Sequence, residues 1–275
     1  MRKLVPIIAA LVLAVPAHAD HHGAKSAHAS VSAIDAVLAH SRRDGDRARD
    51  QWRHPVETLE FFQVKPGMTV IDYMPSSGWY TRVLVPLLGT DGHYIGLNPA
   101  VPDSASEGLK KYLCGLNESF LPKTAEWNLE GARIEAFNTD EVGAERNGTV
   151  DRVLIFREIH NLQRNSFLYA ELTRLHALLK PGGMLGIVQH RARPDAPAAY
   201  TDGSKGYMRQ KDVIGLVEAH GFDLVATSEI NANPSDPADW PAGVWELPPN
   251  LRTKREELKD IGESDRMTLL FRRRD

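Results

Sequence analysis

The chain lacks most of the features that mark a function at first reading. Cys114 is its single cysteine in 275 residues, so no disulfide can close within the chain. Nothing around Cys114 activates a thiolate, and it reads as a buried or inert thiol rather than a catalytic one. Basic charge is not in excess: 33 Lys and Arg stand against 36 Asp and Glu, a formal charge of −3. That excludes the broad positive field on which nucleic-acid binding depends. Beyond the first nineteen residues no apolar run approaches the roughly 20 residues needed to cross a bilayer. There is no internal repeat. There is also no glycine-rich turn followed by a ribose-binding acid, which argues against a nicotinamide oxidoreductase.

What is present begins with a leader. Arg2 and Lys3 precede an apolar run from Leu4 to Val15, and Ala17-His18-Ala19 has the small-x-small form of a cleavage site. Residues 1–19 therefore read as a signal peptide cut after Ala19, and the mature chain is expected in the periplasm or outside the cell. No lipobox cysteine would tether it. The leader carries two of the 33 basic residues, so 256 residues remain with 31 basic and 36 acidic side chains, a charge of −5. A chain of that size can build a core large enough to manage without disulfides. Its new terminus would be Asp20-His21-His22. A free amine, two amides and a third-position histidine suit square-planar copper or nickel. The same residues also read as the start of a flexible polar tail over 20–29, and that reading is preferred.

Residues 30–54 form a helical extension. Val31, Ile34, Val37 and Leu38 share one helical face, and the charge run from Arg42 to Arg53 continues as helix or loop. Residues 55–275 read as one domain. Short apolar strands are expected at 69–72, 93–97, 133–137, 150–156, 184–189, 222–230 and 267–272. Helices are expected at 80–88, 104–116, 166–179 and 210–219, with Pro181-Gly182-Gly183 as a turn. The alternation predicts an α/β fold: a mostly parallel seven-stranded sheet with helices on both faces. Residues 231–262, rich in Pro, Asp, Asn and Trp, should lie as an excursion over the sheet or its cleft.

In such a sheet ligands bind beyond the carboxyl ends of the strands. Polar groups gather at those ends. Strand one ends at Asp72 and is followed by Ser76, Ser77, Gly78, Trp79 and Tyr80. Asn98 follows strand two and Asp140 follows strand three. Arg157-Glu158-Ile159-His160-Asn161 follows strand four, and Gln189-His190-Arg191 closes strand five.

With those segments in view, the chain resembles a class I S-adenosylmethionine-dependent methyltransferase, and within that class the exported predicted methyltransferases. The matching pieces are RHPVETLEFFQVKPGMTVIDYMPSSGWYTRVLVPLLG, HYIGLNP, RIEAFNTDE, VDRVLIFREIHNL, LLKPGGMLGIVQHRA and RMTLLFRR, spanning about 53–275. The resemblance implies a Rossmann-like methyltransferase fold, S-adenosylmethionine as cofactor and a small-molecule acceptor. It places Asp72 and the turn bearing Ser76, Ser77 and Gly78 against the amino-acid part of the cofactor, with Tyr80 beside them. It places Asn98 at the ribose and Asp140 at the adenine. Asn161 and His160 fall in the loop bordering the methyl group. Two departures stand out. Ser76 and Ser77 replace glycines in a turn built for close backbone approach, and Asn98 replaces an acid that would accept two stronger hydrogen bonds.

Methyl transfer needs alignment, exclusion of water and, for a protonated acceptor, a base. His160 and His190 are candidate bases or structural histidines. Glu158 either orients one of them or meets a cationic acceptor. Arg191 either holds an acidic acceptor or forms a structural ion pair. Trp79, Trp240 and Trp245 line an acceptor pocket or pack a lid. No metal set is evident; His160, His190 and Glu158 would form one only if folding brought all three together. The competing function is a non-catalytic protein on the same fold, binding a small molecule or metal in the periplasm.

Overall fold

The computed structural model describes residues 33–275. The expected leader at 1–19, the expected tail at 20–29 with its Asp20-His21-His22 terminus, and residues 30–32 of the expected helical extension lie outside the described residues. Among the described residues no helix is long and apolar enough to cross a membrane.

Seven strands form one sheet: β1 (Thr69–Tyr73), β2 (His93–Asn98), β3 (Arg133–Asn138), β4 (Val150–Phe156), β5 (Leu179–His190), β6 (Phe222–Ser228) and β7 (Arg266–Arg273). Their order is β3-β2-β1-β4-β5-β7-β6. The first five strands pair in parallel, and β7 runs antiparallel between β5 and β6. The central strands read as continuous apolar runs because both faces are covered. Along β1, Ile71 and Tyr73 enter the core beneath the helices Leu168–Leu178 and Gln210–Glu218. Val70 faces the opposite layer, made by Thr81–Leu88 and Pro55–Phe61. Edge strand β6 is covered on one face only, and its burial alternates accordingly.

Two expectations are corrected. Pro181-Gly182-Gly183 is not a turn between elements. It lies inside β5 as a bulge, where the β4 register jumps from Val150↔Leu179 to Arg152↔Met184. The helix expected at 104–116 is two helices, Glu107–Leu113 and Leu116–Glu126, joined at Gly115 with φ +68°. In the described part of the extension a helix covers 33–39, followed by the short helices Ser41–Arg43, Arg47–Arg49 and Asp50–Arg53. Phe62, just beyond the helix Pro55–Phe61, seats this segment on the sheet. A Cβ on Gly186 would come within 2.7 Å of the Phe62 ring, so only glycine lets the ring lie against β5.

Candidate functional site

The site is built around the turn after β1. Met74, Ser76 and Gly78 have φ of +56°, +53° and +73°, so the chain reverses through three left-handed residues of which one is glycine. Non-glycine residues in that region store strain, which concentrates at ligand sites. Ser76 and Ser77 are exposed, and no acceptor among the described residues takes their amide hydrogens. Trp127 closes one side: a Cβ on Gly78 would lie 2.2 Å from its indole.

Two cavities flank the turn and share Met74, Ser76 and Ser77. One of about 390 Å³ opens toward Asn98, Tyr112, Phe120 and Lys123. The other, of about 230 Å³, runs between the ends of β1 and β4 and is lined by Arg53, Asp72, Tyr80, Phe156, Arg157 and Glu158. Pro249 and Asn250 reach this second cavity, so part of the 231–262 excursion borders the cleft.

Asp72 is buried and accepts from the Tyr94 hydroxyl at 2.8 Å; Tyr94 also shares a 2.8 Å hydrogen bond with Thr81. Burial pushes its carboxyl up to about 7, and the hydrogen bonds from Tyr94 and Thr81 offset only part of that. Asn98 lines the larger cavity. Its amide nitrogen donates to the Leu113 carbonyl at 3.1 Å, which leaves its carbonyl oxygen to accept. Tyr80 stacks on Phe156, ring centroids 3.5 Å apart. Glu171 ties the ends of the first three strands together: it accepts from the Tyr73 and Thr139 hydroxyls at 2.8 Å each and from the Ala100 amide at 3.2 Å.

Glu158 is half-buried on the cavity wall and accepts from the Asn161 side chain. Loss of hydration raises its carboxyl to about 7, against the opposing pull of Asn161 and Arg157. His160 and His190 do meet, ring centroids 5.6 Å apart and edge to face. His160 Nδ1 lies 3.3 Å from the Gln189 amide nitrogen, and burial lowers its pKa to about 4. His190 Nδ1 is 2.5 Å from the Ser264 hydroxyl. Burial, with the neighbouring cations, holds His190 well below the ordinary imidazole range. Among the described residues no group of three or more His, Cys, Asp or Glu side chains is arranged to hold a metal.

Two residues are not brought to the turn. Asp140 is exposed on the short helix Thr139–Glu141 and lines neither cavity. The Arg191 guanidinium is engaged by Asp265 at 2.8 and 3.0 Å and by Glu229 at 2.7 and 2.8 Å. It lines a separate cavity of about 600 Å³. Of the tryptophans, Trp79 lines the smaller cavity, Trp245 packs against His160, and Trp240 donates to Asp236. Sequence reasoning missed Arg49, Arg53, Tyr94 and Tyr112. The first two were hidden in a charge run, and the tyrosines fell on segments read as plain strand and helix.

No family model and no curated protein matches this sequence. Solved structures do match. A SAM-dependent methyltransferase from Aquifex aeolicus aligns with TM-score 0.53 at 17% identity, over 88% of this chain and 97% of that one. The fold is the Rossmann-like methyltransferase fold. The 1,6-didemethyltoxoflavin-N1-methyltransferase of Burkholderia thailandensis, solved with that compound and S-adenosylhomocysteine bound, aligns at 0.50 and 15% identity, over 96% and 94%. The 4+2 cyclase SpnF aligns at 0.53 and 11% identity, over 90% and 94%. The fold thus houses more than one chemistry, and function has to be argued from the site.

Proposed function

We propose that this protein is an exported S-adenosylmethionine-dependent methyltransferase acting on a small-molecule acceptor. One observation carries the reading. Two cavities meet at the strand-end turn, where the Ser76 and Ser77 amides are unengaged and Asp72 stands at the end of β1. Cavities of this size together suit a small-molecule ligand, typically about 300–1,000 Å³. The residues present fit the cofactor. Asn98 and Tyr112 would face its nucleoside in the larger cavity, the turn amides its carboxylate, and Asp72 its ammonium group.

S-adenosylmethionine supplies a methyl group already activated by its sulfonium. The protein's part is to align the acceptor, exclude water and take a proton. Glu158 is the base. Its raised pKa matches neutral pH, its side chain lines the cavity, and Asn161 holds one oxygen in place. His160 and His190 are too weakly basic in their buried positions for that role and serve as the neutral polar wall behind it.

Calorimetry on residues 20–275 with S-adenosylmethionine and S-adenosylhomocysteine tests the reading. Binding of both is expected, as is methyl release from labelled cofactor that is lost in Asp72→Ala. Absence of heat with either at millimolar concentration overturns it, and binding without turnover favours the non-catalytic alternative. The export route rests on the leader sequence; N-terminal sequencing of the periplasmic protein should begin at Asp20.

A further inference from the structure

The smaller cavity gathers more arginines than the one carboxylate in contact with them can bond. Arg49 and Arg53 enter from the extension and Arg157 from the end of β4. Arg266, buried on β7, stands close by. The carboxylate that serves this group is Glu263. It accepts from Arg49 Nε at 2.5 Å and from Arg266 Nη2 at 2.7 Å, and lies 3.6 Å from Arg53 Nε. Burial would raise Glu263, but Arg266, Arg53 and Arg157 outweigh it and hold the carboxyl at about 2.

Arg53 is left over. It is 2% exposed, and all three of its guanidinium nitrogens are buried without a hydrogen-bond partner among the described residues. Its charge rests 4.5 Å from the Trp79 ring, a face that attracts a cation and accepts no directed N–H bond. Arg49 Nη2 is a further buried donor without a partner. Arg157 forms no ion pair among the described residues, and its backbone is held left-handed at φ +64°. Buried guanidinium donors are almost always satisfied, because an unpaired buried charge is strongly destabilising. Guanidinium groups offer planar forks that match carboxylate, sulfate and phosphate oxygens.

We propose that this chamber is an oxoanion site in which Arg49, Arg53 and Arg157 hold the acidic group of the methyl acceptor, making the acceptor an anionic small molecule. The oxoanion site stands on the guanidinium nitrogens that lack hydrogen-bond partners among the described residues; its assignment to the acceptor rests on the proposed function. The cofactor carries its own positive charge, so guanidinium groups beside it call for an acidic partner molecule rather than a neutral or basic one. Asp72 and Glu158, the proposed base, line the same chamber, so an acceptor anchored there lies within the same cleft.

The test uses the mature chain and inorganic sulfate at low millimolar concentration against chloride at matched ionic strength. Thermal unfolding and calorimetry are followed with and without saturating S-adenosylhomocysteine. Sulfate is expected to bind and raise the unfolding temperature in both conditions, by linkage to the native state. Arg53→Met should remove that rise yet unfold in chloride at the same or a higher temperature than wild type, because it deletes a buried guanidinium that makes no hydrogen bond and leaves Glu263 with Arg49 and Arg266. A purely structural arginine would instead lower it. Arg157→Gln, on the cavity wall, should weaken sulfate at least tenfold and serves if Arg53→Met does not fold. Sulfate also stabilises proteins generally, so the part lost in the variants is the signal. No variant-sensitive sulfate binding overturns the site. Mutual exclusion of sulfate and S-adenosylhomocysteine overturns its assignment to the acceptor and gives the arginines to the cofactor carboxylate. Failure of the nucleoside to bind in chloride, with sulfate binding intact, removes the methyltransferase reading and leaves the oxoanion site standing.

Discussion

The Tyr94 hydroxyl donates to Asp72 Oδ2 at 2.8 Å inside the sheet, on the same face as the helix Thr81–Leu88. Among the described residues the acid at the end of β1 is therefore held by neutral hydroxyls and by no cation. At neutral pH it is close to half-protonated, since burial raises it to about 7. A cationic ligand group beside it would restore full ionisation.

That relationship sets a stability profile. A carboxyl whose folded pKa exceeds its unfolded value binds its proton more tightly in the native state. Its contribution is present at acid pH and falls away as pH rises from about 4 to about 7. Asp72→Asn mimics the protonated form and should remove this slope. At pH 8 it should be more stable than wild type by up to about 4 kcal/mol, as read from urea unfolding at pH 4, 6 and 8. Equal stabilities at pH 8 would refute it.

Binding of a sulfonium nucleoside should expel a proton from Asp72. Calorimetric heats at pH 6.5 in buffers of different ionisation enthalpy should show release of roughly 0.5–1 proton per site. The release should vanish in Asp72→Asn. Glu158→Gln should retain it in part and lose turnover by about 10²-fold or more, while the wild-type rate rises with pH through about 7 as Glu158 ionises.

His160 gives the opposite sign. Its pKa falls to about 4, so between about 4 and 6.5 the unfolded chain takes a proton that the native imidazole refuses. Its contribution is complete above about 6.5 and is lost as pH falls toward 4. The imidazole C–H shifts of His160 should stay at their neutral positions down to about pH 4.5 in NMR titration, and a midpoint near 6.5 would refute it.

The fold was legible where patterns are local. The seven strands announced themselves as apolar runs, and the turn after β1 through Pro, Ser and Gly. Other features depend on tertiary context. Gly115 and Pro122 disguised the helix Leu116–Glu126, although Pro122 sits inside it without ending it. The Gly182 bulge is stabilised by pairing to β4, which no local signal encodes. Arg43 and Arg53 looked like members of a solvated charge run. Both are buried, placing guanidiniums 4.7 and 4.5 Å from the Trp79 ring. Sequence spacing cannot distinguish a cation in water from one sealed against a tryptophan. Asp140 was read correctly as following β3, yet its short helix directs it outward.

The turn itself yields a paired prediction, because Gly78 and Ser76 share a left-handed backbone and differ in what surrounds them. A Cβ at Gly78 would strike Trp127 at 2.2 Å with φ at +73°. Gly78→Ala should therefore cost about 2–4 kcal/mol and quench nucleoside binding, and Trp127→Ala should restore part of the stability. Ser76 is exposed to the cavity at φ +53°. Its replacement by glycine relieves about 1 kcal/mol of strain and raises unfolded-chain entropy by a similar amount. Stability should stay within about 0.5 kcal/mol of wild type, while the freed volume and nearer amides raise S-adenosylhomocysteine affinity roughly 3–10-fold. Weaker binding by Ser76→Gly would mean that the hydroxyl itself is a ligand contact, and that the serine turn recognises the cofactor rather than crowding it.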